Sequence, residues 1–322
     1  MGKVLAFLVQ GLAATASARS LLEESSSMVN DPVWHAKLND GNSTWVAGHN
    51  EFFNGWTHEK AKGLCGTILD GENTDIPVVD FELIDDSSIP DTFDATTQWP
   101  KYIHPIRDQQ QCGSCWAFSA SEVLSDRFTI ASQGAIDVVL SPQDMVACDK
   151  TDQGCNGGRL GSAWNYLKNT GIVSDKCDPY TAGDGQSGTC QTKCVDGEAW
   201  KKYKATDSFQ MRSVSAMQKE IMTNGPIQVA FTVYKSFMSY KSGVYVKKPF
   251  EFIPEGGHAV KAVGWGTEDG VDYWLIANSW NTNWGLNGFF KIKRGVNECG
   301  IEGQAYAGHA AVSTLSLAPQ VE

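Results

Sequence analysis

The chain has 322 residues, of which 42% are hydrophobic and 20% are charged, and its formal net charge is −11. This composition is typical of a globular protein, and the length allows one large hydrophobic core or two modest ones. The acidic balance argues against a nucleic-acid partner, because proteins that bind nucleic acids usually carry a basic surface.

The N-terminal stretch has the pattern of a secretory signal peptide. Lys3 precedes an apolar run, and Ala16-Ser17-Ala18 offers a cleavage site of small residues, so residues 1–18 are predicted to be removed. No later apolar run approaches the ~18 residues that a membrane span needs, so we expect no membrane span. The sequence predicts entry into the secretory pathway and leaves two destinations open, a lysosome-like or vacuolar compartment and the extracellular space.

Residues 19–88 are polar and only loosely patterned, and they end in an acidic stretch from Asp80 to Asp86. A glycosylation sequon, Asn42-Ser43-Thr44, lies within them. Apolar patterning becomes denser after this stretch. We therefore predict a prosegment over residues 19–88 and a mature domain over residues 89–322.

Helical signals gather in the middle of the chain. Ser141 followed by Pro142 predicts a helix with an N-cap serine and a proline at its first position. Ser215 and Gln218 predict a capping box at the start of another helix. Apolar residues at helical spacing predict two more helices, one after Cys115 with Ala117, Ala120, Leu124 and Phe128, and one with Leu160, Trp164 and Leu167.

Strand signals follow the helices. Apolar residues alternate from Ile227 to Val233, and runs of strand length occur after Gly257, at Tyr273–Ala277 and at Phe289–Lys293. The pattern predicts an α+β protein with two lobes of different class that meet at a cleft.

Cys115 is a candidate nucleophile because it stands at the predicted start of a helix. The positive end of the helix dipole favours the thiolate, which can attack a carbonyl carbon. Two other interpretations remain open from the residues alone: a disulfide with Cys112, or a redox-active Cys-x-x-Cys pair. The redox interpretation needs a thioredoxin-like βαβ pattern, which the sequence does not provide here.

His258 is the candidate partner of Cys115. It follows two glycines, which let another backbone come close, and it begins an apolar run of strand length. Twenty residues later, Asn278 can hold the imidazole in one orientation, and the nearby indole of Trp280 can keep water away from that hydrogen bond.

These segments resemble the papain family of cysteine proteases, and within it the cathepsin B-like group. The resemblance runs from about Ile89 to Gly308 and implies a papain-like α+β fold, with a helical lobe, an antiparallel β lobe and the active-site cleft between them. It also extends to the upstream segments Thr44–Asn50 and Leu64–Thr67. The matching motifs are Gln109–Trp116, Gly154–Gly158, Tyr240–Tyr245, Asn278–Asn281 and Asn287–Ile292.

The resemblance assigns catalytic roles to four residues. Cys115 is the nucleophile, His258 the acid and base, Asn278 the residue that orients His258, and Gln109 the side-chain donor of the oxyanion hole. Trp280 shields the pair. Because all four catalytic positions are filled, a non-catalytic homologue that acts as a binding protein is the less favoured alternative.

The resemblance also implies how substrate is held. Gly157 and Gly158 present a backbone edge to an extended peptide. Protein and peptide substrates are expected, with the chain's own prosegment as inhibitor, a monomeric enzyme and no metal or organic cofactor. The second specificity subsite is expected to contain Leu160, Ala230, Ala259 and Gln304.

Of the nine cysteines, the resemblance pairs Cys112 with Cys155, Cys148 with Cys190, and Cys177 with Cys194. Cys65, Cys299 and the nucleophile then remain as free thiols.

Two departures from cathepsin B affect specificity. The segment between Cys177 and Cys190 is short and contains no histidine, whereas cathepsin B has a longer occluding loop there, with a histidine pair that binds the C-terminal carboxylate of the substrate. Gln304 stands where cathepsin B carries a glutamate that accepts arginine. We therefore expect an endopeptidase with little dipeptide-releasing activity and an apolar preference in the second subsite.

Overall fold

The computed structural model of the chain describes residues 27–69 and 76–312. The predicted signal peptide lies outside these residues. Within the described ranges, every helix falls short of the length and apolarity that crossing a membrane requires. The helices are α1 (Pro32–Leu38), α2 (His58–Lys62), α3 (Ala95–Gln98), α4 (Cys115–Ala131), α5 (Pro142–Cys148), α6 (Leu160–Asn169) and α7 (Val214–Asn224). The strands are β1 (Trp45–Ala47), β2 (Phe93–Asp94), β3 (Phe209–Met211), β4 (Ile227–Tyr234), β5 (Tyr240–Tyr245), β6 (Pro254–Glu268), β7 (Val271–Ala277), β8 (Phe289–Lys293) and β9 (Ala305–Ala307).

The helical lobe is built around α4, which begins at Cys115 as predicted. Nearly all its residues are buried, so α4 is a core helix and not a surface helix. The predicted cap of α5 is also confirmed, because the Ser141 hydroxyl accepts the N–H of Asp144 at 3.1 Å and Pro142 occupies the first helical position.

The predicted capping box at the start of α7 is wrong by two residues. The N-cap is Ser213, whose hydroxyl accepts the N–H of Ala216 at 3.1 Å. Ser215 and Gln218 lie inside the helix. The box needs a Glu or Gln three residues after the cap, and alanine holds that position, so the first of two nearby serines caps the helix without a reciprocal bond.

The β lobe is one sheet in the order β1-β5-β8-β7-β6-β4-β9-β3, with β2 paired to β6. The expected α+β class is confirmed, and the pairings between these strands are antiparallel, as expected for the β lobe, with one exception. β5 and β8 pair in parallel, at Val244 with Lys291 and Tyr245 with Ile292. A parallel pair needs a long connection between its strands, and the chain provides one because β6 and β7 lie between β5 and β8.

Buried polar groups on α4 join the two lobes. Arg127 donates to the carbonyl of Pro226 at 2.8 Å and pairs with Glu220 of α7 at 2.7 Å. Asp126 pairs with Lys261 of β6 at 2.7 Å. Both ion pairs are almost fully buried, and a buried charge that loses its partner is strongly destabilising, so these contacts fix the relative position of the lobes.

The predicted prosegment is folded against the β lobe. Its strand β1 extends the sheet by pairing antiparallel with β5. The side-chain amide of Asn50 donates to the carbonyl of Tyr240 at 3.0 Å. The rings of Phe52 and Phe53 lie 6.3 and 5.5 Å from that of Trp280. These contacts bring the upstream chain to the edge of the cleft.

Candidate active site

Cys115 is fully buried at the N-terminus of α4. Burial opposes ionisation of its thiol. Charge and hydrogen bonding from His258, with a further hydrogen bond from Thr67, outweigh that effect and hold the pKa of Cys115 below its usual value. A lowered pKa is what a cysteine nucleophile requires, because the thiolate is the reactive form.

His258 comes from the other lobe, on β6, and is held from two sides. Its Nε2 atom lies 2.8 Å from Oδ1 of Asn278, just beyond β7. The ring of Trp280 lies 4.8 Å from the imidazole and is itself fully buried. Asn278 thus fixes Nε2, and Nδ1 is the nitrogen that remains to exchange a proton with the Cys115 thiol.

Gln109 has an immobilised side-chain amide. Its oxygen accepts the hydroxyl of Ser279 at 2.7 Å, and its nitrogen donates to the carbonyls of Cys112 at 2.9 Å and Leu64 at 3.0 Å. The amide is fully buried and points one N–H group at a carbonyl oxygen from the upstream chain. An oxyanion donor must be oriented in advance in this way.

The upstream chain lies across these groups. The carbonyl of Leu64 accepts a hydrogen bond from the side-chain amide of Gln109, and the hydroxyl of Thr67 lies 3.1 Å from the Cys115 sulfur. The sulfur is therefore in contact with a hydroxyl group of the upstream chain. Between these two contacts, a side chain on Gly66 would begin 1.8 Å from the Gly113 carbonyl oxygen, so only glycine lets the chain come this close.

Gly157 and Gly158, which the resemblance implies as a backbone edge for substrate, lie against the upstream chain. The N–H of Gly158 donates to the carbonyl of Gly66, and its carbonyl accepts the N–H of Ile68, both at 2.9 Å. The pairing is parallel. A Cβ atom on Gly158 would lie 2.4 Å from the indole of Trp116, which explains the need for glycine. The edge thus already binds an extended segment.

The four residues expected in the second subsite lie close together in the fold. Ala230 and Ala259 are paired across β4 and β6, and Leu160 is buried in the same hydrophobic cluster. The N–H of Ala230 donates to the carbonyl of Gln304 at 3.1 Å, which fixes Gln304 beside β4. Ile76 of the predicted prosegment is buried in the cluster too.

The disulfides join the three pairs that the resemblance implies: Cys112–Cys155, Cys148–Cys190 and Cys177–Cys194. Cys65, Cys115 and Cys299 are free. Because Cys112 is bonded to Cys155, it forms neither a disulfide nor a redox pair with Cys115. Both alternatives for the Cys-x-x-Cys spacing are therefore wrong.

The segment between Cys177 and Cys190 is attached to the helical lobe next to Gln109. The hydroxyl of Tyr180 donates to the carbonyl of Gln109 at 2.8 Å, and the carbonyl of Gly183 accepts the N–H of Gln111 at 3.0 Å. Gln143 binds the N–H groups of residues 181 and 182 and the carbonyl of residue 187. Hydrogen bonds to α5 and to the loop before α4 therefore hold the segment in place.

Sequence reasoning gave no role to three residues that contact the site: Ser279, Thr67 and Tyr180. Ser279 lies between Asn278 and Trp280, so its place in that motif was the available signal. Thr67 lies in the upstream segment Leu64–Thr67 that shares the resemblance, so that segment was the available signal for it. Tyr180 reaches the site only through the tertiary fold, and no local pattern marks it.

Comparison with known proteins places these features in context. A sequence model described as "Papain family cysteine protease" matches residues 89–309. Cathepsin B-like CP2 of Giardia intestinalis is 41% identical over 271 residues, which are 83% of this chain and 90% of that protein. Cathepsin B-like cysteine proteinase 4 of Caenorhabditis elegans is 44% identical over 261 residues, which are 71% of this chain and 77% of that protein.

Among solved structures, procathepsin B S9 from Trypanosoma congolense superposes with a TM-score of 0.81 at 33% sequence identity. The match covers 89% of this chain and 100% of the other. The similar structure is a proform, which agrees with an upstream segment folded over the cleft.

Proposed function

The chain belongs to the papain family of cysteine proteases, and from this premise we propose that it is a cathepsin B-like endopeptidase made as a secretory zymogen. The observation that carries the proposal is the meeting of Cys115, His258 and Gln109 at one point of the cleft. Asn278 holds His258 at 2.8 Å, and Ser279 holds Gln109 at 2.7 Å.

The reaction is acyl transfer in two steps. The Cys115 thiolate attacks the carbonyl carbon of a peptide bond, and the oxyanion accepts hydrogen bonds from Gln109 and the Cys115 N–H. His258, as imidazolium, protonates the departing amine when the C–N bond breaks. Water, deprotonated by His258, then hydrolyses the thioester and releases the new carboxylate with the free thiolate.

The proposed zymogen is latent because residues 64–68 occupy both the oxyanion donor and the substrate edge. The Leu64 carbonyl accepts a hydrogen bond from the Gln109 amide. The Gly66 carbonyl accepts the N–H of Gly158, and the N–H of Ile68 donates to the Gly158 carbonyl. We place the boundary of the mature enzyme just before Ile89. N-terminal sequencing of the active form tests this boundary and that of the signal peptide.

Labelling with an epoxysuccinyl thiol-protease inhibitor tests the proposed activity. We expect one adduct per active molecule, on Cys115, and loss of peptide cleavage in proportion to labelling. The Cys115→Ala variant should give no adduct. Peptide cleavage that survives complete labelling of Cys115 would contradict the proposal.

The segment between Cys177 and Cys190 supports endopeptidase action rather than peptidyl-dipeptidase action. Releasing dipeptides from a C-terminus needs a plug in the cleft and a positive group that captures the terminal carboxylate. This segment has no histidine, and its hydrogen bonds tie it to the helical lobe.

Comparing a peptide that has a free C-terminal carboxylate with its amidated twin tests this specificity. We expect similar kcat/KM values and cleavage within the chain for both. A strong preference for the free acid, with sequential loss of dipeptides, would contradict endopeptidase action. Lys176→Ala and Lys193→Ala would then show whether either lysine holds the carboxylate.

A further inference from the structure

The loop between α5 and α6, residues 149–159, carries the substrate edge formed by Gly157 and Gly158. A hydrogen bond from the N–H of Gln153 to the carbonyl of Gly157, 2.8 Å long, closes the loop. The disulfide Cys112–Cys155 anchors it to the chain that precedes α4. A change in this loop would therefore move the edge to which substrate binds, and the inference that follows rests on the proposed function.

Asp152 lies inside this loop and is only 7% exposed. Its Oδ1 atom accepts the N–H of Arg159 at 2.9 Å. Arg159 directly follows Gly158 and is the N-cap residue of α6. The carboxyl group of Asp152 thus fixes the backbone on the far side of the substrate edge.

A second carboxyl group faces Asp152. Asp149 is 3% exposed, and its Oδ1 accepts the N–H and the hydroxyl of Thr151 at 2.9 and 2.6 Å. The remaining oxygen, Oδ2, of each aspartate is buried and has no hydrogen-bond donor among the described residues. Two buried, unsatisfied carboxylate oxygens three residues apart would repel each other, and one shared proton would satisfy both.

The environment of Asp152 favours the protonated form of its carboxyl group. Burial is the largest influence on Asp152, and the charge and hydrogen bond of Asp149 act in the same direction. The N–H and the positive charge of Arg159 oppose them, and the net result raises the pKa of Asp152 to about 7. Asp149 and Arg159 are the charged groups that face this carboxyl.

We propose that Asp152 is a positioning residue for substrate binding, and that a proton shared with Asp149 holds the Gly157–Gly158 edge in its binding conformation. When both carboxyl groups are ionised, their repulsion loosens the loop and substrate affinity falls. The effect is on binding of the peptide and not on the reacting atoms, since Asp152 contacts the backbone beyond the edge.

The test measures kcat and KM of the mature enzyme from pH 5 to pH 8.5 for wild type, Asp152→Asn and Asp152→Ala. The asparagine keeps an oxygen for the Arg159 N–H and supplies a permanent N–H toward Asp149, as the shared proton does. The alanine removes both. Asp91→Asn, at an exposed position, is the matched control and should follow wild type.

We expect the wild-type KM to rise about tenfold between pH 6 and pH 8.5, since one shared proton is lost in that range. The KM of Asp152→Asn should stay flat and match the wild-type value at pH 5, while that of Asp152→Ala should be high at every pH. All three should have kcat values within about twofold of each other at a given pH, because the interaction lost is one of binding.

Dissociation constants for a peptide should also be measured with the Cys115→Ala versions of the same proteins, which cannot cleave it. These versions lack the thiol, so its titration does not affect the comparison. The same pattern of dissociation constants should appear there. A wild-type affinity that does not change with pH, or an Asp152→Asn variant that follows wild type at every pH, would overturn the positioning role. Failure of the proposed function would look different, because none of the proteins with Cys115 would then cleave peptide.

Discussion

The side-chain amide of Gln109 is fixed at both ends, which predicts how much activity depends on it. Removing one oxyanion donor costs roughly 10²–10³ in turnover where this has been measured, because another donor remains. Gln109→Ala should therefore lose activity in about that range, whereas Cys115→Ala and His258→Ala should leave almost none, since the nucleophile and the base act as one unit.

Steady-state kinetics on the processed variants check this prediction. Ser279→Ala is a useful companion, because it removes only the hydroxyl that holds the Gln109 oxygen. Its loss should be smaller than that of Gln109→Ala. Equal losses in Gln109→Ala and Cys115→Ala would contradict the role proposed for Gln109.

Gln304 leads to a prediction about specificity. A neutral amide cannot compensate for the desolvation of a guanidinium group as a carboxylate can, so the second subsite should prefer leucine, valine or phenylalanine over arginine. Gln304→Glu should shift the preference toward arginine. Profiling both enzymes with a peptide library checks this, and a wild-type profile led by arginine would refute it.

At the scale of single residues, the sequence predicted where Cys115, His258 and Gln109 would meet, because each lies in a motif. It could not predict that the Leu64 carbonyl would occupy the Gln109 amide or that the Asp149 and Asp152 carboxyl groups would lie together. Such contacts depend on how loops fold back, and loops have no periodic pattern.

At the scale of elements, apolar spacing predicted the start of α4 at Cys115 and both ends of β8. It placed the cap of α7 at Ser215, because Gln218 completes a capping box with that serine, and it could not detect that Ser213 caps the helix instead. Nor could it predict the ion pairs between α4 and the β lobe. The sequence alone does not say which charged residues of a core helix will find partners.

Glu122 on α4 makes the lobe interface sensitive to pH. Burial, its largest influence, raises the pKa of Glu122 to about 7, although Lys261 and Arg107 act in the opposite direction. The folded state therefore holds a proton that the unfolded state releases near its usual pKa of 4.5. Below pH 4.5 this proton makes its whole contribution to the free energy of unfolding, roughly 3 kcal/mol by linkage. The contribution is lost as pH rises from 4.5 through about 7.

Glu122→Gln should remove most of this dependence, because the amide stays neutral. In a Cys115→Ala background, which prevents self-digestion, the difference in Tm between pH 5 and pH 8 should be clearly smaller for Glu122→Gln than for the parent. Glu198→Gln, at an exposed position, is the control and should resemble the parent. An unchanged difference in Tm for Glu122→Gln would contradict the argument.

At the scale of the whole molecule, the sequence predicted a prosegment but not how it docks. α1, α2, Lys235 and the chain from Phe250 to Glu255 line a cavity of about 400 Å³. His58, the first residue of α2, lines this cavity, is 2% exposed, and has no hydrogen-bond partner on either ring nitrogen among the described residues. The contact between the predicted prosegment and the β lobe therefore contains a buried, neutral imidazole.

That imidazole predicts how acid releases the proposed prosegment. Burial, followed by the charges of Lys235 and His35, lowers the pKa of His58 from 6.5 to about 3. Above pH 6.5 the docked and released states are both neutral at His58, and as pH falls from 6.5 toward 3 only the released state gains a proton. At pH 4.5 this favours release by about 100-fold, or about 2.7 kcal/mol.

We therefore expect His58→Leu to keep the prosegment docked at lower pH than wild type does, since leucine cannot take up a proton. The rate at which the full chain converts to its mature form should be measured from pH 7 to pH 4. Its profile for His58→Leu should move down by about one pH unit or more, while exposed His49→Gln should follow wild type. The processed enzymes have the same sequence, because residue 58 leaves with the prosegment, so equal peptidase activity after processing assigns any change to release. Conversion of His58→Leu with the wild-type pH profile would mean that acidic residues alone control release.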